Sequence, residues 1–175
     1  MLTNARIPVV GFAAWSGTGK TTLLKEMIPL FRGRDIRVGL VKHAHHTFDI
    51  DKPGKDSYEL RKAGAHQMLV ASARREALII EKETGKDPDL NRLLARLDQD
   101  ALDLILVEGF KHETFPKVEL FRAQLGKPPL YPEDHTVIAV VTDGELPAAT
   151  DLPVLDINDP GQIVDFICNR FCKCQ

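Results

Sequence analysis

The chain has 175 residues, of which 43 % are hydrophobic and 27 % charged, and a formal net charge of −2. That length suits one well-buried core and leaves little room for a second complete domain, and the charge balance lacks the basic excess of a nucleic-acid binder. Residues Met1 to Pro8 lack the apolar centre of a signal peptide, and no apolar run approaches the ~18 residues of a membrane span, so neither nucleic acid nor membrane is an expected partner and the cytoplasm is the expected compartment.

The first apolar run, Ile7 to Ala13, leads into Ala14-Trp15-Ser16-Gly17-Thr18-Gly19-Lys20-Thr21-Thr22. A helical pattern follows, with Leu23, Leu24, Met27, Ile28 and Phe31 on one side and Gly33 as its stop. Strand, glycine-bearing loop and helix in that order form a phosphate-binding loop. Gly17 and Gly19 let the backbone turn so that several N–H groups converge on one anion, Lys20 supplies a point charge, and Thr21 offers a hydroxyl to hydrated Mg²⁺. Trp15 through Thr22 are therefore the expected nucleotide-binding residues. The usual opening glycine is Ala14 here.

Ile36 to Val41 reads as a short strand ending in Lys42-His43. The polar loop beyond it carries His43, His45, His46, Asp49 and Asp51. Two chemistries suit that composition. One is a zinc site from the histidines and an aspartate; the other is a switch-like segment in which Asp49 or Asp51 meets magnesium or the attacking water. Asp56 to Ala65 follows as a helix with Asp56 as its N-cap, and Gln67 to Ala71 with Glu76 to Glu81 reads as a hairpin turned around Ser72 to Arg75.

Asp87-Pro88 suggests a cap and first-turn proline for a helix carrying Leu90, Leu93, Leu94 and Leu97. Leu104 to Val107 is a fully apolar strand that ends in Glu108-Gly109, where a carboxylate would hold the magnesium shell or orient a water. Lys117 to Phe121 alternates like an exposed or edge strand. Val137 to Val141 is again fully apolar and ends in Thr142-Asp143-Gly144, where Asp143 is the candidate for accepting from a guanine N1–H and 2-amino group, with Asp156 behind it. Val154-Leu155 and a helix opened by Asp159-Pro160 complete the chain. Cys168, Cys172 and Cys174 cluster at its end without an evident fourth metal ligand.

Strands without alternation, interleaved with helices, predict an α/β fold: an open, mostly parallel sheet with helices on both faces and an added antiparallel hairpin, its ligands beyond the strand carboxyl ends. The loop chemistry is compatible with three functions: a slow GTPase adaptor, a small-molecule kinase, or a non-hydrolytic module for a phosphate or cofactor.

Taken together, the loop Trp15 to Thr22, Lys42-His43-x-His45-His46 with Asp49 and Asp51, Gly54-Lys55-Asp56-Ser57, Arg61-x-x-Gly64-Ala65 and Glu108-Gly109-Phe110-Lys111 resemble the molybdopterin-guanine dinucleotide biosynthesis protein B family, a branch of the P-loop NTPases. The resemblance implies a GTP-binding, weakly GTP-hydrolysing homodimer that assists the guanylyltransferase joining GMP to molybdopterin, and the molybdenum-insertion protein upstream. It also implies roles: Lys20 neutralises β/γ charge, Thr21 and Glu108 serve Mg²⁺, and Asp49 or Asp51 lies near the γ-phosphate. The usual Asn-Lys-x-Asp guanine signature is absent, so guanine preference rests on the family.

Overall fold

A computed structural model describes residues 2–44, 49–82, 85 and 87–172. The chain divides into two compact units, Met1–His43 with Asp89–Gln175, and Ala44–Pro88.

The larger unit contains β1 (Val9–Ala13), α1 (Lys20–Arg32) and β2 (Val38–Lys42); the smaller contains α2 (Asp56–Lys62), β3 (Gln67–Ser72) and β4 (Arg75–Ile80). The larger unit resumes with α3 (Leu90–Leu94), β5 (Leu104–Glu108), β6 (Lys117–Phe121), β7 (Val137–Thr142), β8 (Val154–Asp156) and α4 (Pro160–Phe171). Its six strands are ordered β2-β5-β1-β6-β7-β8, and every pairing is parallel. Parallel strands need crossovers and bury both faces, which is why β1 and β5 read as unbroken apolar runs. Alternate residues divide the core. Val10, Phe12, Leu104, Leu106, Val118 and Val141 meet Leu23, Met27 and Phe31 of α1 and Ile163, Val164 and Ile167 of α4. Val9, Ile105 and Val107 meet Leu90 and Leu94 of α3 together with Phe110 and Phe115 on the opposite face. Burying each large apolar side chain contributes about 1.5–3 kcal/mol.

Three local expectations are corrected. Lys117 to Phe121 is a central strand between β1 and β7, buried at all five positions. Its two charged side chains are partnered inside: Lys117 Nζ lies 3.0 Å from Asp134 Oδ2 and 2.6 Å from Thr136 Oγ1, and Glu119 accepts from the Leu130 and Tyr131 amides, each at 2.7 Å. Polar alternation here marks partnered buried charge rather than a solvent face. The leucine-patterned helix is only five residues long. Its N-cap is Asp89, which accepts from the Asn91 and Arg92 amides, and the Gln99 side-chain amide takes the Leu94 carbonyl where another turn would begin. In α2 the cap position is Lys55 and Asp56 is the first helical residue, where its charge still opposes the helix dipole favourably.

In the smaller unit, β3 and β4 form the expected antiparallel hairpin in a two-stranded sheet, with Ser72 paired to Arg75 across the turn. Leu69, Val70 and Leu78 on it are 62 %, 42 % and 53 % exposed.

Candidate phosphate-binding site

The site lies at the carboxyl ends of β1 and its two neighbours, as the sheet order requires. Gly17 (φ 84°) and Gly19 (φ 98°) take left-handed backbone, and Gly19 occupies the cap position of α1 with no side chain bonded to the helix N-terminus and no acidic residue in its first turn. The first amides of α1 are thus left to an anion. Ser16, Gly17, Thr21 and Thr22 are exposed, whereas Thr18 is buried and donates its hydroxyl to the Trp15 carbonyl at 2.6 Å, bracing the turn. Lys20 curls over the loop, donating to the carbonyls of Ala14 (2.9 Å) and Trp15 (3.2 Å). Burial lowers its pKa; Glu108 opposes that shift, and the nearby Lys42 and Lys111 ammoniums add to it.

Glu108 stands in a row set by register: it pairs with Phe12 of β1 on one side and Lys42 of β2 on the other. Its Oε1 lies 3.5 Å from Thr21 Oγ1, and the Lys42 ammonium bridges both carboxylate oxygens at 3.1 and 3.0 Å. A hydroxyl and a carboxylate converging beside a phosphate loop make a hard-oxygen pair, which suits Mg²⁺ completed by water and phosphate oxygens. Gly109 (φ 94°) must be glycine here, because a Cβ would come within 2.8 Å of His43 Cβ. The His43 ring stacks on Phe110 at 4.8 Å.

Trp15 donates its indole N–H to the Pro128 carbonyl at 2.8 Å, with the Lys111 ammonium 4.4 Å and the Lys127 ammonium 5.9 Å from its ring centroid. Arg122, the residue after β6, donates from Nε to the Thr18 carbonyl at 3.0 Å and from Nη1 to Asp143 Oδ2. The structure therefore gathers Trp15, Thr18, Lys20, Thr21, Glu108 and, through Arg122, Asp143.

Lys42 and Arg122 were not singled out from the sequence as site residues. The signal for Lys42 is a lysine ending a strand that neighbours the Glu108 strand. For Arg122 it is a basic residue at the end of a strand that has to be placed beside β1 first. Asp156 accepts from the backbone and side-chain nitrogens of Asn158 and shapes the turn into α4.

Asp49 and Asp51 belong to the smaller unit and its own polar cluster. The Arg61 guanidinium pairs with Asp49 and with Glu81 at 2.5 Å, and Asp51 Oδ1 accepts from Ser57 Oγ at 3.0 Å. His45 and His46, the other members of the conceivable zinc set, and Cys174 lie outside the described residues; among the described residues no three metal-ligating side chains cluster.

Fold and site together define an α/β protein of the phosphate-loop class. Residues 9–143 match the family model of MobB, molybdopterin guanine dinucleotide synthesis protein B, and the chain belongs to that family. It is 54 % identical to the molybdopterin-guanine dinucleotide biosynthesis adapter protein of Escherichia coli over 95 % of each chain. It is 44 % identical to the adapter protein of the same name from Haemophilus influenzae, over 95 % of this chain and 90 % of that one. Among solved structures, the crystal structure of Bacillus subtilis MobB superposes with a TM-score of 0.74 at 25 % identity, covering 94 % of this chain and 98 % of that one. A MobB homologue from Bacillus stearothermophilus gives 0.69 at 25 % identity, over 93 % and 96 %.

Proposed function

We propose that the chain is a GTP- and Mg²⁺-binding adapter of molybdopterin guanine dinucleotide biosynthesis with at most slow GTP hydrolysis. The observation that carries this reading is the convergence of Lys20, Thr21 and Glu108 on the uncapped N-terminus of α1 in a member of this family. Loop amides and Lys20 would hold the β- and γ-phosphates; Thr21 and Glu108 would hold the cation once Lys42 yields the carboxylate. Magnesium, when bound there, would supply charge neutralisation to the phosphates. Slow turnover fits a site whose loop arginine, Arg122, is engaged by Asp143; a free arginine on the transferring phosphate contributes about 10³–10⁵ in rate in equipped relatives.

The partners in this reading are the molybdopterin guanylyltransferase and the molybdenum-insertion protein, met in the cytoplasm. Homodimerisation is supported by the hairpin. A two-stranded sheet is marginal alone, and Leu69 and Leu78 exposed on it give a second copy apolar surface to cover.

Guanine selection is assigned to Asp143. A carboxylate accepts from both the N1–H and the 2-amino group, whereas an amide donates and accepts, which matches xanthine's O2 and N1–H. Titration of Trp15 fluorescence with GTP and XTP tests this. Asp143→Asn should weaken GTP and strengthen XTP, each by about tenfold or more; unchanged preference in the variant would remove Asp143 from base recognition.

A further inference from the structure

We infer that Arg122 is a positioning residue for base selection: it ties the phosphate loop to Asp143 and aims that carboxylate at the purine edge. The inference rests on the assignment of Asp143 to base recognition and goes beyond it by naming what holds the carboxylate. The juxtaposition follows from register. Phe121 of β6 pairs with Thr142 of β7, so the next residues on each strand, Arg122 and Asp143, leave the sheet side by side. β6 also pairs with β1, so the Arg122 side chain can reach back over the loop that follows β1.

One guanidinium then bonds two segments. Nε donates to the Thr18 carbonyl at 3.0 Å, Nη1 donates to Asp143 Oδ2, and Nη2 lies 4.0 Å from where a Cβ on Gly19 would stand. The guanidinium is rigid and planar, so fixing Nε on a carbonyl fixes the direction of Nη1; a lysine ammonium on its flexible stem could not set that direction. The pair is partly sheltered, with side chains 32 % and 19 % exposed, which limits the screening that makes most surface ion pairs weak. Only Oδ2 of Asp143 is bonded among the described residues. A carboxylate offers about four acceptor positions, so the pairing leaves Oδ1 for a ligand's donors while preventing rotation. In this arrangement phosphate binding and base reading share one strut.

The test is a thermodynamic cycle read by Trp15 fluorescence, with GTP and ATP in magnesium, on the full chain and on Arg122→Met, Asp143→Ala and the double variant. Circular dichroism melts establish that each variant folds. Losing the Thr18 contact should weaken both nucleotides somewhat. The positioning role predicts in addition that Arg122→Met lowers the GTP-to-ATP preference at least fivefold, that Asp143→Ala does the same, and that the double variant loses no more preference than Asp143→Ala alone. Arg122→Lys, which retains charge without the fork, should remain closer to Arg122→Met than to the native chain. Equal weakening of GTP and ATP in Arg122→Met would overturn the inference and leave the arginine a brace for the loop. If Asp143→Asn also fails to exchange GTP for XTP, the base-reading assignment itself has failed; if it succeeds, only the strut is lost. Should Arg122→Met not fold, Arg122→Gln and Arg122→Lys carry the same comparison.

Discussion

The ion pair between buried Lys117 of β6 and the partly exposed Asp134 ahead of β7 yields a sharp asymmetry. Lys117 is 2 % exposed at its side chain, and its ammonium is held by Asp134 and Thr136; Asp134 is 24 % exposed and also accepts from the Thr136 amide at 2.9 Å and hydroxyl at 2.5 Å. Asp134→Ala strands a charge in the interior with the Thr136 hydroxyl and the face of the Phe115 ring, 5.3 Å from the ammonium, as its remaining partners, so it should destabilise by about 3–5 kcal/mol. With a urea slope of about 2 kcal/mol/M, the midpoint would fall by about 2 M. Lys117→Met removes the charge and keeps the volume, while Asp134 retains Thr136 and access to water. Its stability should stay within about 1 kcal/mol of native or rise, a midpoint shift of no more than about 0.5 M downward. Burial pushes the Asp134 carboxyl up, but hydrogen bonds from Thr136 and Lys117 outweigh it and leave the pKa below the ordinary value. A depressed folded pKa contributes stability that is full above the unfolded value, about 3.9, and is lost as pH falls through the folded one. The deficit of Asp134→Ala should therefore narrow below about pH 4. Urea unfolding followed by circular dichroism at pH 7 and pH 3 checks both points. A loss under 1 kcal/mol in Asp134→Ala, or equal losses in both variants, would refute the buried-pair account.

Three further outcomes follow from particular contacts. Gly109→Ala combines left-handed backbone with a 2.8 Å approach to the root of His43, and should cost about 3–5 kcal/mol in chemical unfolding; Gly126→Ala, with φ 59° and open space, should cost about 1 kcal/mol. The Arg37 guanidinium and amide beside Asp103 hold its pKa down to about 2, although the pair is substantially exposed. Asp103→Asn should lose only about 1 kcal/mol after solvent screening, a difference full above about pH 4 and lost as pH falls through about 2 in thermal melts spanning that range. For the proposed homodimer, Leu78→Glu on the hairpin should shift sedimentation equilibrium toward monomer without altering Trp15 titrations; a native chain that sediments as a monomer would overturn the dimer, and a dimer unchanged by the substitution would remove the hairpin from its interface.

The parts of this molecule legible in the sequence were those governed by local chemistry. The loop Trp15 to Thr22 and the apolar strands ending in Glu108 and Thr142 needed only neighbouring residues, and the structure puts the loop, Glu108 and Asp143 at strand carboxyl ends. Lys117 and Glu119 misled because alternation reports polarity, not exposure, and their partners Asp134, Thr136 and the Leu130–Tyr131 amides come from a separate segment. The short α3 escaped for a similar reason: four leucines at helical spacing continue the pattern, while Gln99, five residues beyond Leu94, ends it. Lys42, in the sequence only the first residue of a family motif, and Arg122 gained a place in the site once strand order put β2 beside β5 and β6 beside β1.

Trp15 is the only tryptophan, and it lies within the phosphate loop, so unlabelled fluorescence reports on that loop directly. The decisive measurement is its titration with GTP and with ATP in magnesium, for the native chain and for Lys20→Ala. The account predicts GTP binding at least about tenfold tighter than ATP, equivalent to ~1.4 kcal/mol, and loss of the response in the variant. Equal GTP and ATP binding, or a GTP response that survives Lys20→Ala, would contradict it.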